Sequence, residues 1–139
     1  MKYSVVATSF NDSADIVEYL ENICSQTYLP EEIVIADGGS KDDTVEKIKK
    51  YSISSSVKIR VVEKGRLNIS QGYNEAIKAS VNDVIGITGI GNYYDKKFFE
   101  KLIKDFEDDD LDYTYSPIRG YDATPFSVKY NKILLNGDA

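Results

Sequence analysis

The chain has no histidine and no tryptophan, and its 139 residues include one cysteine, Cys24. These absences exclude a disulfide within the chain, a zinc site built from Cys and His, and a histidine general base. Cys24 lies on the apolar face of a predicted helix, so we interpret it as a buried structural thiol. No apolar run is long enough to span a bilayer, and the apolar part of the first five residues is too short for a signal peptide. The sequence therefore predicts a soluble, cytoplasmic protein.

The chain also has fewer basic than acidic residues, with 17 Lys and Arg against 23 Asp and Glu, so its formal net charge is −6. This balance argues against a nucleic-acid-binding surface, although it leaves room for one local basic pocket. The apolar fraction of 42% is ordinary for a folded protein. Residues 1–139 are long enough for one domain with its own core.

Apolar strand-like runs alternate with amphipathic segments along the chain, which predicts βαβ units and a mostly parallel sheet. Right-handed crossovers should place helices on both faces of this α/β sheet. The predicted strands are residues 3–8, 33–36, 58–63, 84–88 and 113–118, with one more short strand near 126–130. The third strand should lie nearer an edge, the fourth should be buried on both faces, and residues 52–56 should form a loop. The predicted helices are residues 13–25, 44–51 and 70–80, and a fourth that Asp95 caps.

The segment IVIADGGSKDDT, which begins at residue 33, is the most informative one. Asp37 ends a buried strand, where open α/β sheets hold their ligands. Gly38 and Gly39 allow a sharp turn, and the spacing of Ser40 and Asp43 predicts a capping box for the next helix. The same residues also fit an ordinary strand–helix turn with solvated carboxylates.

Three loops follow the first, second and fourth predicted strands, at residues 9–12, 37–40 and 89–92. Because the carboxyl ends of parallel strands meet at one edge of a sheet, these loops should share a rim. The sequence therefore predicts a ligand site at that rim.

Five segments in order resemble the family 2 glycosyltransferases, which have the Rossmann-like glycosyltransferase A-type (GT-A) fold. They are SVVATSFN from Ser4, QTYLPEEIVIADGGSKDDT from Gln26, ISQGYNEAIKAS from Ile69, DVIGI from Asp83, and residues 93–102. The resemblance covers residues 3–120 and only the nucleotide-binding half of such enzymes. It implies a nucleotide-diphosphate sugar as ligand, usually a UDP-linked one.

The resemblance carries over to particular positions. The turn from Thr8 through Ser9 to Asn11 would pack against the nucleoside, and Asp37 would accept a hydrogen bond from the base, with Gly38 beside it. A carboxylate suits an imide N–H because charge-assisted hydrogen bonds are the stronger ones. Asn74 would face the donor loop, or else bond to nearby helix backbone.

The sequence leaves two roles open for a pair of cationic side chains near this site. Lys64 and Arg66 lie on the glycine-containing loop after the third strand, from which they could reach a diphosphate directly. The alternative is that both are ordinary solvated cations beside a turn.

Two departures from the family concern the chemistry. The resemblance places Gly89 and Gly91 at the two positions of the family's metal-binding Asp-x-Asp motif, and Asn92 beside them offers one neutral oxygen. Glycine has no side-chain ligand, so the metal motif is interpreted as degenerate and no Mg²⁺ or Mn²⁺ cofactor is predicted. The second departure is that about twenty residues follow the fifth predicted strand, and no catalytic base can be assigned among them.

Three functions therefore remain open. The first is transfer of a sugar from a nucleotide-diphosphate donor to an acceptor hydroxyl, typically in polysaccharide biosynthesis. The second is a non-catalytic nucleotide-binding or protein-interaction module that keeps the fold. The third is an active site that a partner chain or a second copy completes.

Overall fold

The computed structural model describes residues 1–116, in which strands and helices alternate as predicted. The elements are β1 (Ser4–Ser9), α1 (Ile16–Cys24), β2 (Glu32–Asp37), α2 (Thr44–Ser54), β3 (Lys58–Glu63), α3 (Ile69–Ala79), β4 (Ile85–Ile87) and α4 (Phe98–Asp108). Residues 1–100 form one compact unit, and a second unit begins at Lys101. No helix in the described part of the chain is long and apolar enough to cross a membrane.

The four strands form one sheet in the order β3-β2-β1-β4, and all three strand pairs are parallel. This confirms the α/β prediction and the edge position of β3. Ser9 is in register with Asp37, and Asp37 with Glu63, so the first three strands end level. The chain moves from β1 outward to β3 and then crosses back to β4 on the other side of β1. The strand order therefore reverses between β1 and β4, where ligands bind in open α/β sheets.

The core lies on the two central strands, β1 and β2. Side chains alternate between the faces of a strand, and Val6, Val34 and Ala36 form one buried cluster with Ala76 of α3. The intervening residues, such as Val5 and Ile33, are equally buried on the opposite face. Right-handed crossovers place α1 and α2 on that face. Helices therefore cover both faces, as predicted.

Several sequence-based boundaries were wrong. Helix α2 continues to Ser54, so most of the predicted loop at 52–56 is helical. Strand β4 is short and incompletely buried, with Ile87 62% exposed, because it is an outer strand of the described sheet. Residues 113–116 form no strand, and 117–118 and 126–130 lie outside the described residues.

The predicted full burial of Cys24 was also wrong. Cys24 is only half-buried, with its Sγ atom 3.7 Å from Ser55 Oγ, and this partial burial raises the pKa of its thiol.

A buried carboxylate fixes the amino-terminal edge of the sheet. Glu32 is 1% exposed, and its Oε2 accepts hydrogen bonds from Nε and Nη2 of Arg60 at 3.0 and 2.7 Å. Its Oε1 accepts from Ser4 Oγ at 2.8 Å and from the Val81 N–H at 2.7 Å. Arg60 also donates to the carbonyl of Ala79 at the end of α3. Burial acts to raise the pKa of Glu32, but the Val81 N–H, Arg60 and Ser4 outweigh it and leave that pKa below its ordinary value.

We expect Glu32→Gln to lower the free energy of unfolding at pH 7 by about 2–4 kcal/mol, because it leaves Arg60 without its charge partner. Because the folded-state pKa of Glu32 is lowered, this difference should be complete above the ordinary carboxyl pKa of 4.5. It should shrink as the pH falls through the lower folded-state pKa. Urea titrations across this pH range measure both effects. Glu31→Gln removes the same charge from an exposed pair with Lys2 and should change stability little.

Helix α3 approaches the sheet closely at Gly72. A Cβ atom on Gly72 would lie 2.6 Å from Cγ2 of Thr8, which is closer than two carbon atoms can pack. Glycine inside a helix usually costs stability, so its presence here has a packing reason. The missing side chain lets α3 lie directly against the end of β1.

Gly72→Ala should therefore destabilise the protein by about 1–2 kcal/mol, since the overpacking cost exceeds the gain in helix propensity. Adding Thr8→Ser removes the clashing methyl group and should recover part of the loss. Thermal or urea unfolding of the single and double variants tests this. Ser70→Ala, an exposed position of the same helix, provides the control; equal stabilities for Gly72→Ala and wild type would contradict the packing argument.

Candidate functional site

A cleft of about 300 Å³ opens at the carboxyl ends of β1, β2 and β4, where the strand order reverses. All three predicted loops contribute to it, which confirms that they share one rim. The first turn of α3 and the residues just before it close the other side. The lining residues are Thr8, Ser9, Phe10, Asp12, Ala36, Gly38, Leu67, Asn68, Ile69, Gly72, Tyr73, Gly89 and Ile90.

Asp37 is 4% exposed and is not among the lining residues, although its partner Ser9 and its neighbour Gly38 are. Its Oδ1 accepts hydrogen bonds from Ser9 Oγ at 2.7 Å and Ser40 Oγ at 2.6 Å. Its Oδ2 accepts from the backbone N–H groups of Gly39 at 3.0 Å and Ser40 at 2.8 Å. These four hydrogen bonds fill the four acceptor positions of a carboxylate. Asp37 therefore joins the end of β1 to the turn after β2.

This arrangement shows why the predicted capping box was wrong. The Ser40 hydroxyl donates to Asp37 and accepts from the Asn11 N–H at 2.9 Å, so it joins these loops, and it lies three residues before the residue that precedes α2. The N-cap of α2 is Asp43, which makes no side-chain capping bond. The Thr44 N–H instead donates to Asp42 Oδ1 at 3.0 Å. The helix therefore begins one turn later than the capping box requires.

Asn11 and Gly38 complete the contact between the first two loops. Asn11 has a positive φ of 51°, which asparagine tolerates, and its Oδ1 accepts from the Lys41 N–H at 2.8 Å. The Gly38 N–H donates to the Ser9 carbonyl at 2.7 Å, and a Cβ there would lie 2.9 Å from the Leu67 carbonyl oxygen. Gly38 thus lines the cleft, whereas Asn11 braces the loops from outside it.

The loop after β4 is held by side chains of its own and of α1. The Gly89 N–H donates to the Tyr94 hydroxyl at 2.8 Å. Asn22 accepts from the Tyr94 N–H at 2.8 Å and donates to the Tyr94 carbonyl at 2.9 Å. Asp95 accepts from the Lys97 N–H at 3.0 Å, and its carbonyl accepts from Phe98 N at 2.9 Å, so Asp95 holds the turn that leads into α4.

The donor atoms of this loop do not fit a hard divalent cation, which prefers several carboxylate or carbonyl oxygens. Gly89 and Gly91 present no side chain, and the Nδ2 atom of Asn92 lies 2.7 Å from where a Cβ of Gly89 would stand. The carboxylate near Gly91 is that of Asp15, 3.9 Å from its would-be Cβ, a neighbour that no motif indicated. Within residues 1–116, no group of three or more His, Cys, Asp or Glu side chains could hold a metal ion.

The remaining predicted residues lie outside the cleft lining. Lys64 is bonded through Nζ to Glu75 Oε2 of α3 at 2.6 Å. Arg66 is exposed, and its Cα lies 3.6 Å from the position that a Cβ of Gly39 would take. Asn74 is exposed on α3.

Two aromatic residues of the cleft were not singled out from the sequence. Phe10 lies at its edge and is 58% exposed, which a phenylalanine inside a polar turn could have signalled. Tyr73 follows Gly72 on α3 and also lines the cleft. Its hydroxyl donates to the Thr88 carbonyl at 2.7 Å, while Tyr19 from α1 bonds to Thr88 Oγ1 at 2.6 Å. The end of β4 is thus held from both faces of the sheet.

Comparisons with known proteins agree with this geometry. The family described as "Glycosyl transferase family 2" matches residues 4–136. The uncharacterized glycosyltransferase EpsJ of Bacillus subtilis is 26% identical over 109 residues, which are 78% of this chain and 31% of that protein. The glycosyltransferase GlyG of Streptococcus pneumoniae is 26% identical over 122 residues, 87% of this chain and 40% of that protein. The chain thus spans about 31% and 40% of the lengths of these two relatives.

Solved structures share the fold at lower identity. TarS 1–349 of S. aureus superposes with a TM-score of 0.71 at 19% identity, over 85% of this chain and 39% of that one. Its complex with UDP-GlcNAc gives 0.68 at 18% identity, over 85% and 37%. The mannosyltransferase PcManGT from Pyrobaculum calidifontis, with GDP-Man and Mn²⁺, gives 0.70 at 22% identity, over 76% and 32%. The fold is therefore GT-A-like, and with the family match over residues 4–136 the chain belongs to glycosyltransferase family 2.

Proposed function

We propose that the cleft binds a UDP-linked sugar and that this chain is the nucleotide-binding half of a sugar transferase. The observation that carries the proposal is the position of the cleft, at the reversal of strand order between β1 and β4. Its lining includes the apolar side chains of Phe10, Ile69 and Ile90 beside polar ones such as Ser9. A planar base fits such walls, because apolar surface and aromatic rings favour flat heterocycles. The UDP-GlcNAc complex of TarS, which shares this fold, supports the choice of nucleotide.

Thr8, Ser9 and Gly38 are the proposed contacts to the nucleoside, with Asp37 as the acceptor for the base. The four internal hydrogen bonds of Asp37 set a condition on that role. Backbone N–H groups are fixed, whereas hydroxyls rotate, so an imide N–H would take the place of Ser9 or Ser40 on Oδ1.

Sugar transfer additionally needs a carboxylate to deprotonate the acceptor hydroxyl as it attacks the sugar. Asp12 is the carboxylate among the cleft-lining residues, and its Oδ2 accepts from the Phe10 N–H at 2.9 Å. We therefore propose that the base comes from outside the cleft-lining residues, as a second copy of the chain or a partner chain would supply it. A non-catalytic nucleotide-binding module is the second candidate, favoured by glycine at positions 89 and 91.

Calorimetry should detect binding of UDP, and Asp37→Ala should weaken it by about 1.5–3 kcal/mol, the range for a hydrogen bond to a charged group. Asp83→Ala removes the same charge just before β4, at the opposite end of the sheet, and should leave the affinity unchanged. Unfolding curves of both variants separate lost binding from lost folding. Wild-type protein that gives no binding heat, or an Asp37→Ala variant of equal affinity, would refute the proposed base pocket.

We further propose that nucleotide binding is independent of metal, so Mn²⁺ should change the affinity for UDP little. Carboxylates are best restored at positions 89 and 92, because the positive φ of 89° at Gly91 would strain any other residue. Gly89→Asp combined with Asn92→Asp should therefore create an Mn²⁺-dependent increase in affinity. The single Asn92→Asp variant serves as the control. Strong Mn²⁺ dependence in the unmodified protein would show that other ligands, such as Asp15, hold a metal.

A further inference from the structure

The ion pair between Lys64 and Glu75 turns a cation of the rim away from the cleft. Lys64 follows directly after β3, three residues before the cleft-lining Leu67. Glu75 lies six residues beyond the start of α3, about 9 Å along the helix axis at 1.5 Å per residue. The cleft contacts α3 only through its first turns, at Ile69, Gly72 and Tyr73. The 2.6 Å bond to Glu75 therefore holds the ammonium group on the flank of α3.

Glu75 itself is firmly placed. Its side chain is 17% exposed, and its other oxygen accepts from Lys78 one turn later at 3.1 Å. Hydrogen bonds from Lys64 and Lys78 hold the pKa of Glu75 below its ordinary value, so it stays charged at neutral pH. Lys64, by contrast, is 60% exposed and reaches Glu75 through a flexible stem. Lys64 is therefore the partner that can leave the pair without disturbing the bond between Glu75 and Lys78.

Arg66 differs from Lys64 although only Gly65 separates them. It makes no ion pair within residues 1–116, and its backbone packs beside Gly39 in the turn that follows Asp37. Gly65 has a positive φ of 75° and no atom within 4 Å of its would-be Cβ, so the link between the two cations is an open turn. Arg66 is thus the cation already at the rim.

We propose that Glu75 competes with the diphosphate of the nucleotide for Lys64, and so sets how tightly this site holds an anionic ligand. Arg66 makes the resting contact with the diphosphate, and Lys64 adds a second contact only when its bond to Glu75 is given up. This inference rests on the proposed nucleotide site, and it identifies Glu75 as a residue that lowers the affinity of that site for its ligand. Removing the negative charge at position 75 should therefore tighten binding.

The test compares three ligands, uridine, UDP and pyrophosphate, by calorimetry on wild type and Glu75→Gln. Glutamine keeps the size and helix propensity of glutamate. Because exposed ion pairs are weak, we expect UDP and pyrophosphate to bind about two- to fivefold more tightly to the variant, and uridine equally. Raising the salt concentration should shrink the gain. Arg66→Ala should weaken UDP and pyrophosphate but not uridine.

Two controls separate release of Lys64 from a general change in charge. Glu31→Gln removes the same charge from the Lys2 pair at the opposite end of the sheet and should leave all three affinities unchanged. In a Lys64→Met background, Glu75→Gln should give no gain. A gain that persists without Lys64, or a Glu75→Gln variant that binds the anions no more tightly, would overturn the inference. Loss of the proposed base pocket gives a different pattern, in which uridine fails to bind while pyrophosphate still shows the gain.

Discussion

The geometry of the site depends on one buried carboxylate. An ionised side chain that is 4% exposed must have its charge satisfied by hydrogen bonds, because removing it from water unpaired costs several kcal/mol. Asp37 finds its four donors on the end of β1 and in its own turn. The solvation of one charge thus holds two loops together. Asn11, Ser40 and Gly38 make the further contacts that this proximity permits.

The cleft is consequently formed before any ligand arrives. Gly72 lets α3 reach Thr8, and the Tyr94 hydroxyl fixes Gly89 on the opposite wall. Tyr73 and Tyr19 fasten the end of β4 from the two faces of the sheet. A site whose walls are already placed loses little conformational entropy on binding. The exposed Phe10 and Arg66 are the parts left to adjust.

The sequence was sufficient for the order and type of the elements, because buried strands and amphipathic helices have distinct periods. It also placed Asp37 at the rim, since position in a βα unit is a local property. It failed where contacts between loops decide, as at Ser40, whose hydroxyl joins Asp37 to Asn11 while α2 begins only at Thr44. It failed likewise for β4, because the burial of a strand depends on which strands lie beside it.

The two central strands carry the same pairing at both ends. Strand β1 reads SVVATS and β2 reads EIVIAD, each six residues long. Ser4 donates to its register partner Glu32, and Ser9 to its register partner Asp37. If either strand shifted by one residue, both carboxylates would lose their serine partners and the apolar side chains would turn to the wrong faces. The register of β1 and β2 is therefore specified at both ends, because only one alignment gives both buried carboxylates their serine donors.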